Sequence, residues 1–282
     1  MPDAAVSHVR VGLLQLPGDE PYQASCRRAE VAVAEAVAAG AAIVVLPEFT
    51  PRRWFAGEPG RLEDLVPPPG AVAAWAAELA RRHRCHLHCT DIEAGAGRRY
   101  NTARLHGPSG CALMHRKRHL PDEPGFRETS WYSPGTAAPA TGEAAGARIG
   151  ALTCSDAMFP EEARGLGRLG CEVILVPRAT PAEPASMRRW SVMLRADAIV
   201  SGAYVISVNR VGREGPVEFA GRSMVVAPDG EVIAELGPAP ALKIVDLDLA
   251  AARAAKAEYP VLAGRDDWVQ GGPAAGAEPQ AG

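Results

Sequence analysis

The sequence has few aromatic residues, little net charge and no long apolar run. Phe, Trp and Tyr make up 5% of the 282 residues and hydrophobic residues 47%, so a core would consist mainly of Ala, Val, Leu and Ile. A formal net charge of −3 gives no electrostatic footprint for nucleic acid or an anionic membrane surface. No apolar run reaches the ~18 residues that a membrane-spanning helix requires. We therefore expect neither a nucleic-acid partner nor a membrane partner.

The six cysteines do not form a compact disulfide framework in a chain of this length. The first ten residues, MPDAAVSHVR, lack the basic and apolar regions of a secretory signal. Both observations favour reduced thiols and a cytoplasmic location.

Cysteine and histidine are concentrated between His83 and Cys89, a composition that suggests zinc. In a strand, however, Cys85 and Cys89 point to one face of the sheet. His86 and His88 point to the other face, which separates the candidate ligands. We therefore expect no metal site here.

Predicted strands and helices alternate along the whole chain. A buried strand over 9–16, a helix over 20–40 and a second buried strand over 41–46 give a β-α-β start. Further strands are expected near 85–93, 100–106, 111–117, 147–153, 173–176, 203–209, 222–227, 231–236 and 242–247, and further helices over 71–83, 160–169 and 186–201. This alternation predicts one α/β domain over residues 1–270, with polar, Pro-rich loops at 50–70 and 121–146. The low-complexity stretch 271–282 is expected to be a disordered tail.

The segment 149–162, IGALTCSDAMFPEE, joins the end of a predicted strand to the start of a predicted helix. Cys154 lies between them, where its sulfur can project from the sheet edge and backbone N–H groups can receive an oxyanion. A buried structural thiol fits this segment equally well. Two other candidates follow predicted strands: Glu48 after 41–46, and Lys117 in the basic cluster 115–119. Taken alone, each is typical of a solvated surface residue.

Together, the three segments resemble the nitrilase superfamily of carbon–nitrogen hydrolases. The chain has Pro47-Glu48, then RKRHL at 116–120, then CSDAMFPE at 154–161, in the order of that family's glutamate, lysine and cysteine motifs. The similarity continues at 170–177, 204–212 and 221–230, and it spans roughly residues 8–268. No single motif is specific, but three in order with flanking strands are.

The resemblance implies an α/β fold, a four-layer α-β-β-α sandwich of two central mixed sheets flanked by helices. We expect the four layers to form when two α/β-sandwich subunits pair. The resemblance also implies a hydrolase that needs no cofactor. Glu48 would take the proton of Cys154, whose thiolate would attack the carbonyl carbon. Lys117 and the backbone N–H of Ser155 would stabilise the oxyanion, and Glu48 would then activate a water to hydrolyse the thioester.

Glu128 matches a second glutamate that shapes the pocket in these enzymes, within a region that resembles carbamoylputrescine amidases; a plain loop acid is the alternative. Ser155 and Met158 replace bulkier or charged residues of the relatives. Arg178 stands where relatives tend to have a small residue. We therefore predict that these three residues contact the substrate and that Arg178 binds an anionic group. The alternative for Arg178 is contact with solvent or with a nearby glutamate.

The expected substrate is a small linear amide or an N-carbamoyl compound, and the expected assembly is a homodimer or higher homo-oligomer. Nitrile hydrolysis, or acyl transfer to an amine, would use the same residues. A catalytically silent binding protein on this fold is a third alternative. It is disfavoured because Glu48, Lys117 and Cys154 are all present.

Overall fold

A computed structural model of the chain describes residues 6–54, 67–123, 126–259 and 261–263. The strands in these ranges are β1 (His8–Gln15), β2 (Ile43–Val45), β3 (His86–Gly95), β4 (Arg98–Gly107), β5 (Gly110–Arg116), β6 (Asp122–Glu123), β7 (Phe126–Arg127), β8 (Gly142–Ala144), β9 (Ala147–Ala151), β10 (Val173–Arg178), β11 (Tyr204–Asn209), β12 (Val211–Glu214), β13 (Val217–Ala220), β14 (Met224–Val226), β15 (Val232–Glu235) and β16 (Ala241–Asp248). The α-helices are α1 (Tyr22–Ala38), α2 (Ala71–His83), α3 (Pro160–Arg168), α4 (Pro184–Ser201) and α5 (Leu249–Glu258).

Two six-stranded mixed sheets form the centre of the molecule. Their strand orders are β16-β1-β2-β3-β4-β5 and β15-β14-β11-β10-β9-β8. In the first sheet β1, β2 and β3 are parallel, with Val11 opposite Ile43 and Ile43 opposite His86. In the second sheet β10 is parallel to both β9 and β11, with Val173 opposite Ile149 and Tyr204. The antiparallel strands lie at the edges of both sheets.

Each sheet buries both faces, as the alternation along β10 illustrates. Val173 and Leu175 point into the core between the two sheets, which also contains residues of β1, β2, β4 and β5. Ile174 and Val176 point the other way and pack with residues of α3 and α4. Residues of α1 and α2 cover the outer face of the first sheet. The four-layer sandwich is therefore confirmed, but all four layers lie in one chain and no second subunit is needed to complete them.

The long predicted elements are present with small shifts in their bounds. The expected loop over 121–146, however, contains β6, β7, β8 and a 3₁₀ turn at Glu128–Ser130. The hairpin β12-β13 and the helix α5 were not predicted. Strands of two to four residues are too short to show a period, and the alanine-rich α5 has no polar face opposite an apolar one. The predicted tail at 271–282 and most of the loop at 50–70 lie outside the described residues.

Candidate active site

Cys154 lies on a sharp bend between the second sheet and its covering helix. Two residues separate it from the end of β9, and it begins a 3₁₀ turn, Cys154–Met158, that leads to Pro160 at the first position of α3. Its φ of +48° is in the left-handed region, which costs a non-glycine residue roughly 1–3 kcal/mol. Such strain is typical of positions that the surrounding structure holds for function.

The bend places the partly exposed Cys154 in a cavity of about 750 Å³. Glu48 and Glu128 line the same cavity, so the structure brings three of the four predicted catalytic residues to one space. The large apolar side chains of the lining are Trp54, Leu120, Phe126, Met158, Phe159 and Trp190. A ligand-sized cavity with an apolar wall and a few convergent polar groups is the usual form of a small-molecule site.

Lys117 lies behind this cavity in a buried network with the two glutamates. Its Nζ donates to Glu128 Oε1 at 2.6 Å and to Glu48 Oε1 at 3.1 Å. Asn101 Nδ2 donates to the same Glu48 oxygen at 2.8 Å, and the Asn101 carbonyl accepts from the Lys117 backbone N–H at 2.8 Å. Glu48 Oε2 is buried and accepts no hydrogen bond from any described residue. One carboxylate oxygen is therefore left for a proton.

The network holds Lys117 as a cation and the thiol as a neutral group. Burial opposes the charge of Lys117, but Glu128 and Glu48 outweigh it and raise the pKa of the ammonium well above its usual value. Burial and the neighbouring Glu48 raise the pKa of Cys154, while Lys117 and the backbone of Ala179 act in the opposite sense. Burial also raises the pKa of Glu128, although Lys117 counteracts it. A thiol in these surroundings needs a base to remove its proton as it reacts.

Asp156, two residues after the cysteine, connects the segments that carry Lys117 and Cys154. Its Oδ1 accepts from the backbone N–H groups of Arg118 at 3.0 Å and of His119 at 2.9 Å. Its Oδ2 accepts from the Thr153 N–H at 3.0 Å and lies 2.7 Å from His115 Nε2. Burial opposes the charge, but these partners keep the pKa of Asp156 below its usual range. The carboxylate thus fixes the two segments relative to each other.

The backbone of Glu48, on the first sheet, is held by the second sheet. Its N–H donates to the Arg178 carbonyl at 3.3 Å, and its carbonyl accepts from Arg210 Nη1 at 2.7 Å. Arg210 is itself fully buried and pairs with Glu214. Glu214 Oε2 in turn accepts from the backbone N–H of Trp54 at 2.9 Å. Arg210 and Glu214 therefore position both Glu48 and Trp54, which forms an aromatic wall of the cavity.

The three predicted substrate-binding residues occupy different places. Ser155 and Met158 line the cavity beside Cys154, and the Ser155 hydroxyl donates to the His119 carbonyl at 2.5 Å. Arg178 does not line this cavity. Its side chain points to the outer face of the sheet, where the guanidinium lies 4.7 Å from the ring centre of Trp190. It is 1% exposed and forms no ion pair with a glutamate of the described chain, so neither alternative given for it matches the structure.

Several residues of the site were not predicted as functional: Asn101, Trp54, Phe126, Trp190 and Arg210. Asn101 had a weak signal, because it is a polar side chain inside a predicted strand. The aromatic residues had none, because their approach to Cys154 depends on loops and on the position of α4.

The Cys/His-rich run begins at His83, the last residue of α2, and continues into β3, where its side chains alternate as predicted. Cys85 and Cys89 pack into the core beneath α1 and α2. Within the described ranges, no three His, Cys, Asp or Glu residues are grouped to hold a metal ion. None of the helices described is long and apolar enough to cross a bilayer.

Comparisons with known proteins agree with this site. The chain matches the carbon–nitrogen hydrolase family model over residues 10–257. It is 32% identical to an (R)-stereoselective amidase of Pseudomonas sp. over 91% of both chains. It is 28% identical to the N-carbamoylputrescine amidase of Arabidopsis thaliana, over 80% of this chain and 82% of that one. An amidase structure from Nesterenkonia sp. is similar with a TM-score of 0.76 at 27% identity, over 89% of this chain and 95% of the other.

The fold and these matches define an enzyme of the nitrilase superfamily: the chain belongs to the carbon–nitrogen hydrolase family. Within that family its activity is of the amidase type.

Proposed function

We propose that the protein hydrolyses a small linear amide or N-carbamoyl compound through a thioester on Cys154. The observation that carries the proposal is the buried Glu48–Lys117–Glu128 network, which adjoins a strained cysteine in a ligand-sized cavity. Glu48 and Glu128 each have a carboxylate oxygen without a hydrogen-bond partner among the described residues, and Lys117 is held as a cation. A base and an oxyanion donor next to a nucleophile are what acyl transfer requires.

In the first half-reaction Glu48 Oε2 takes the proton of the Cys154 thiol as the sulfur attacks the amide carbon. The carbonyl oxygen becomes an oxyanion, which Lys117 Nζ and the backbone N–H of Ser155 stabilise. Glu48 then returns the proton to the nitrogen, the carbon–nitrogen bond breaks, and ammonia or an amine leaves. The acyl group remains on Cys154 as a thioester.

In the second half-reaction a water replaces the amine. Glu48 takes a proton from this water as its oxygen attacks the thioester carbon, and the same groups stabilise the second oxyanion. The carbon–sulfur bond breaks, the proton returns to Cys154, and a carboxylic or carbamic acid leaves. Neither step calls on a metal, so we expect activity to survive exhaustive treatment with EDTA.

Glu128 acts through Lys117. With Glu48 and Glu128 ionised, the three-residue network has a net charge of −1. Transfer of the thiol proton to Glu48 brings the net charge of the network to zero just as the oxyanion forms. Lys117 then has one ionised carboxylate, that of Glu128, beside it when it stabilises the oxyanion. Glu128 therefore orients the ammonium and keeps it charged.

The cavity favours an acyl group with an apolar body. Trp54, Phe126 and Trp190 form much of its wall. Apart from the buried Glu48 and Glu128, its acidic lining residues are exposed: Asp122, Glu123 and Glu183. Since Arg178 lies behind Trp190, an anionic group on the substrate would not reach it. A nitrile would use the same residues, so the panel below includes one.

The test is intact-protein mass spectrometry after incubation with a panel of amides, N-carbamoyl compounds and a nitrile of matched acyl chains. A mass increase equal to the acyl group is expected on Cys154, absent from Cys154→Ala and unchanged in Cys111→Ala, which removes an exposed thiol. Turnover by a folded Cys154→Ala protein would contradict the mechanism. In one Nesterenkonia amidase structure the acetamide moiety of fluoroacetamide is covalently added at the active-site cysteine.

We also infer a homodimer in a reducing, cytoplasmic compartment. Leu169, Val192 and Ile199 are 43%, 65% and 39% exposed on the outer layer formed by α3 and α4, and large apolar side chains exposed on one layer favour a subunit contact. All six cysteines are unpaired, as expected in a reducing compartment. Sedimentation of the wild type against Val192→Lys tests the assembly: a wild-type monomer would contradict it.

A further inference from the structure

A second cavity, of about 510 Å³, lies on the outer side of the second sheet. It is bounded by the first half of α4 and by residues of β13, β14 and β15 and the segments beside them. Trp190 lines both this cavity and the one that contains Cys154. The two spaces are therefore neighbours that share an indole wall.

Arg178 lines this second cavity and is 1% exposed. Its Nε donates to Ser207 Oγ at 2.6 Å and its Nη2 to the Arg222 carbonyl at 3.1 Å. Its Nη1 is buried and has no hydrogen-bond partner in the described structure. No described carboxylate lies within 4.0 Å, although a buried guanidinium is normally paired. Burial accordingly lowers the pKa of Arg178 to about 10.

The rest of the lining adds positive charge and apolar surface. Arg188 and Arg222 join Arg178, against a single acidic residue, Glu235. Glu235 already pairs with Arg222 at 3.3 Å. Met187, Leu194 and Met224 supply apolar walls. The cavity thus combines an unsatisfied guanidinium with a surface suited to hydrocarbon.

We propose that this second cavity is a binding site for a small carboxylate with an apolar body, whose carboxylate pairs with Arg178. The anion supplies the missing acceptor for Nη1 and the missing counter-charge, and its body packs against the apolar wall. Because the Trp190 indole lies between the guanidinium and the active-site cavity, occupancy alters the wall that faces the substrate.

The test measures binding of phenylacetate by isothermal titration calorimetry to protein whose Cys154 has been alkylated with iodoacetamide. Alkylation blocks the Cys154 nucleophile, so that binding is read without turnover and independently of the proposed function. Phenylethanol, which lacks the charge, is the matched control ligand. Arg178→Met removes the guanidinium from the second cavity. Ser191→Trp fills that cavity but keeps the Arg178 guanidinium. Arg213→Met, the control variant, removes an exposed arginine elsewhere.

Phenylacetate is expected to bind wild type and Arg213→Met alike, and phenylethanol to bind far more weakly. Arg178→Met and Ser191→Trp should each weaken binding at least roughly tenfold, the loss expected for a charge-assisted hydrogen bond or an occluded site. Four outcomes overturn the proposal: no binding to wild type, unchanged binding to Arg178→Met, equal binding of phenylethanol, or loss of binding on alkylation. If Arg178→Met does not fold, Ser191→Trp decides.

Discussion

The active-site network and the layer beneath α4 both bury ionisable side chains, but only the first pairs them. Lys117 contacts two carboxylates, and its pKa lies above the usual value. Beneath α4, Arg178 contacts no carboxylate of the described chain and its pKa falls to about 10. Asp197 lies on α4 itself, and neither of its carboxylate oxygens has a hydrogen-bond partner among the described residues. Its pKa rises to about 8.

The difference separates two uses of a buried charge. Pairing in the active-site network keeps Lys117 protonated, so that its positive charge is present when an oxyanion forms. Without a partner, burial shifts both Arg178 and Asp197 toward their neutral forms. An unpaired buried charge lowers the free energy of unfolding, so its presence calls for a reason other than stability.

The largest expected effect comes from breaking the paired region. Lys117→Met should lower kcat by ~10²–10³, the typical loss for one oxyanion donor, and change KM much less. The reason is that Lys117 meets a charge that exists only in the transition state. Steady-state kinetics on a soluble amide measure both constants, with circular dichroism to verify the fold. An effect mainly on KM would make Lys117 a substrate-binding group.

A smaller effect is expected from Asp156, which connects the two catalytic segments without lining the cavity. Asp156→Asn keeps one acceptor oxygen but leaves either the Arg118 and His119 amides or the Thr153 amide and His115 without an acceptor. We expect kcat to fall about tenfold, in line with a loss of 1–2 kcal/mol of positioning. The rate of Cys154 alkylation by iodoacetamide should fall together with kcat.

Glu162→Gln is the matched control for Asp156→Asn. Glu162 contacts the side chains of Arg118 and His119, and not their backbone. Its effect on kcat should be smaller. Equal losses in the two variants would mean that any disturbance of 117–119 suffices and that Asp156 has no special role.

The sequence predicts the role of a residue when that role depends on the residue's own local segment, and fails to predict it when the role depends on how distant segments pack. Cys154, Glu48 and Lys117 each follow a strand that the sequence predicts, and the order of their motifs identified the family. Trp190 and Arg210 reach the site from α4 and from the end of β11, so their roles depend on how the two sheets stack. Arg178 shows the limit most clearly. It lies at the end of β10, where its carbonyl accepts from the Glu48 N–H, but strand alternation turns its side chain to the other face of the sheet.

Asp197 gives the unpaired region a measurable pH dependence. Its pKa is 3.8 in the unfolded chain and about 8 when folded, because of burial and the nearby Glu161 carboxylate. Between these values the folded state holds one more proton, so the free energy of unfolding falls as pH rises, by up to ~1.4 kcal/mol per pH unit. Asp197→Asn stays neutral, so it should match wild type near pH 4 and be more stable at pH 8.

Urea unfolding from pH 5 to pH 8 measures this difference in slope. Glu218→Gln, at an exposed glutamate on β13 that pairs with Arg213, is the control and should leave the slope unchanged. Other groups, such as the buried His88, titrate alike in wild type and variant and cancel in the comparison. Parallel stability curves for wild type and Asp197→Asn would show that Asp197 has a partner in solution.

The smallest effect is expected at the unpaired cation. Arg178→Met removes a buried charge and puts an apolar side chain of similar length against Trp190, a type of exchange that is often neutral or stabilising. It leaves Ser207 Oγ and the Arg222 carbonyl without a donor, which opposes the gain. We therefore expect a free energy of unfolding within about 1 kcal/mol of wild type, and an unchanged kcat in ligand-free buffer.

Lys117→Met, in contrast, leaves two buried carboxylates without their cation and should lower the free energy of unfolding by ~3–5 kcal/mol. Urea unfolding of both variants at pH 7 makes the comparison directly. If Arg178→Met lost as much stability as Lys117→Met, the guanidinium would have a counter-charge in solution, and the contrast between the two regions would be wrong.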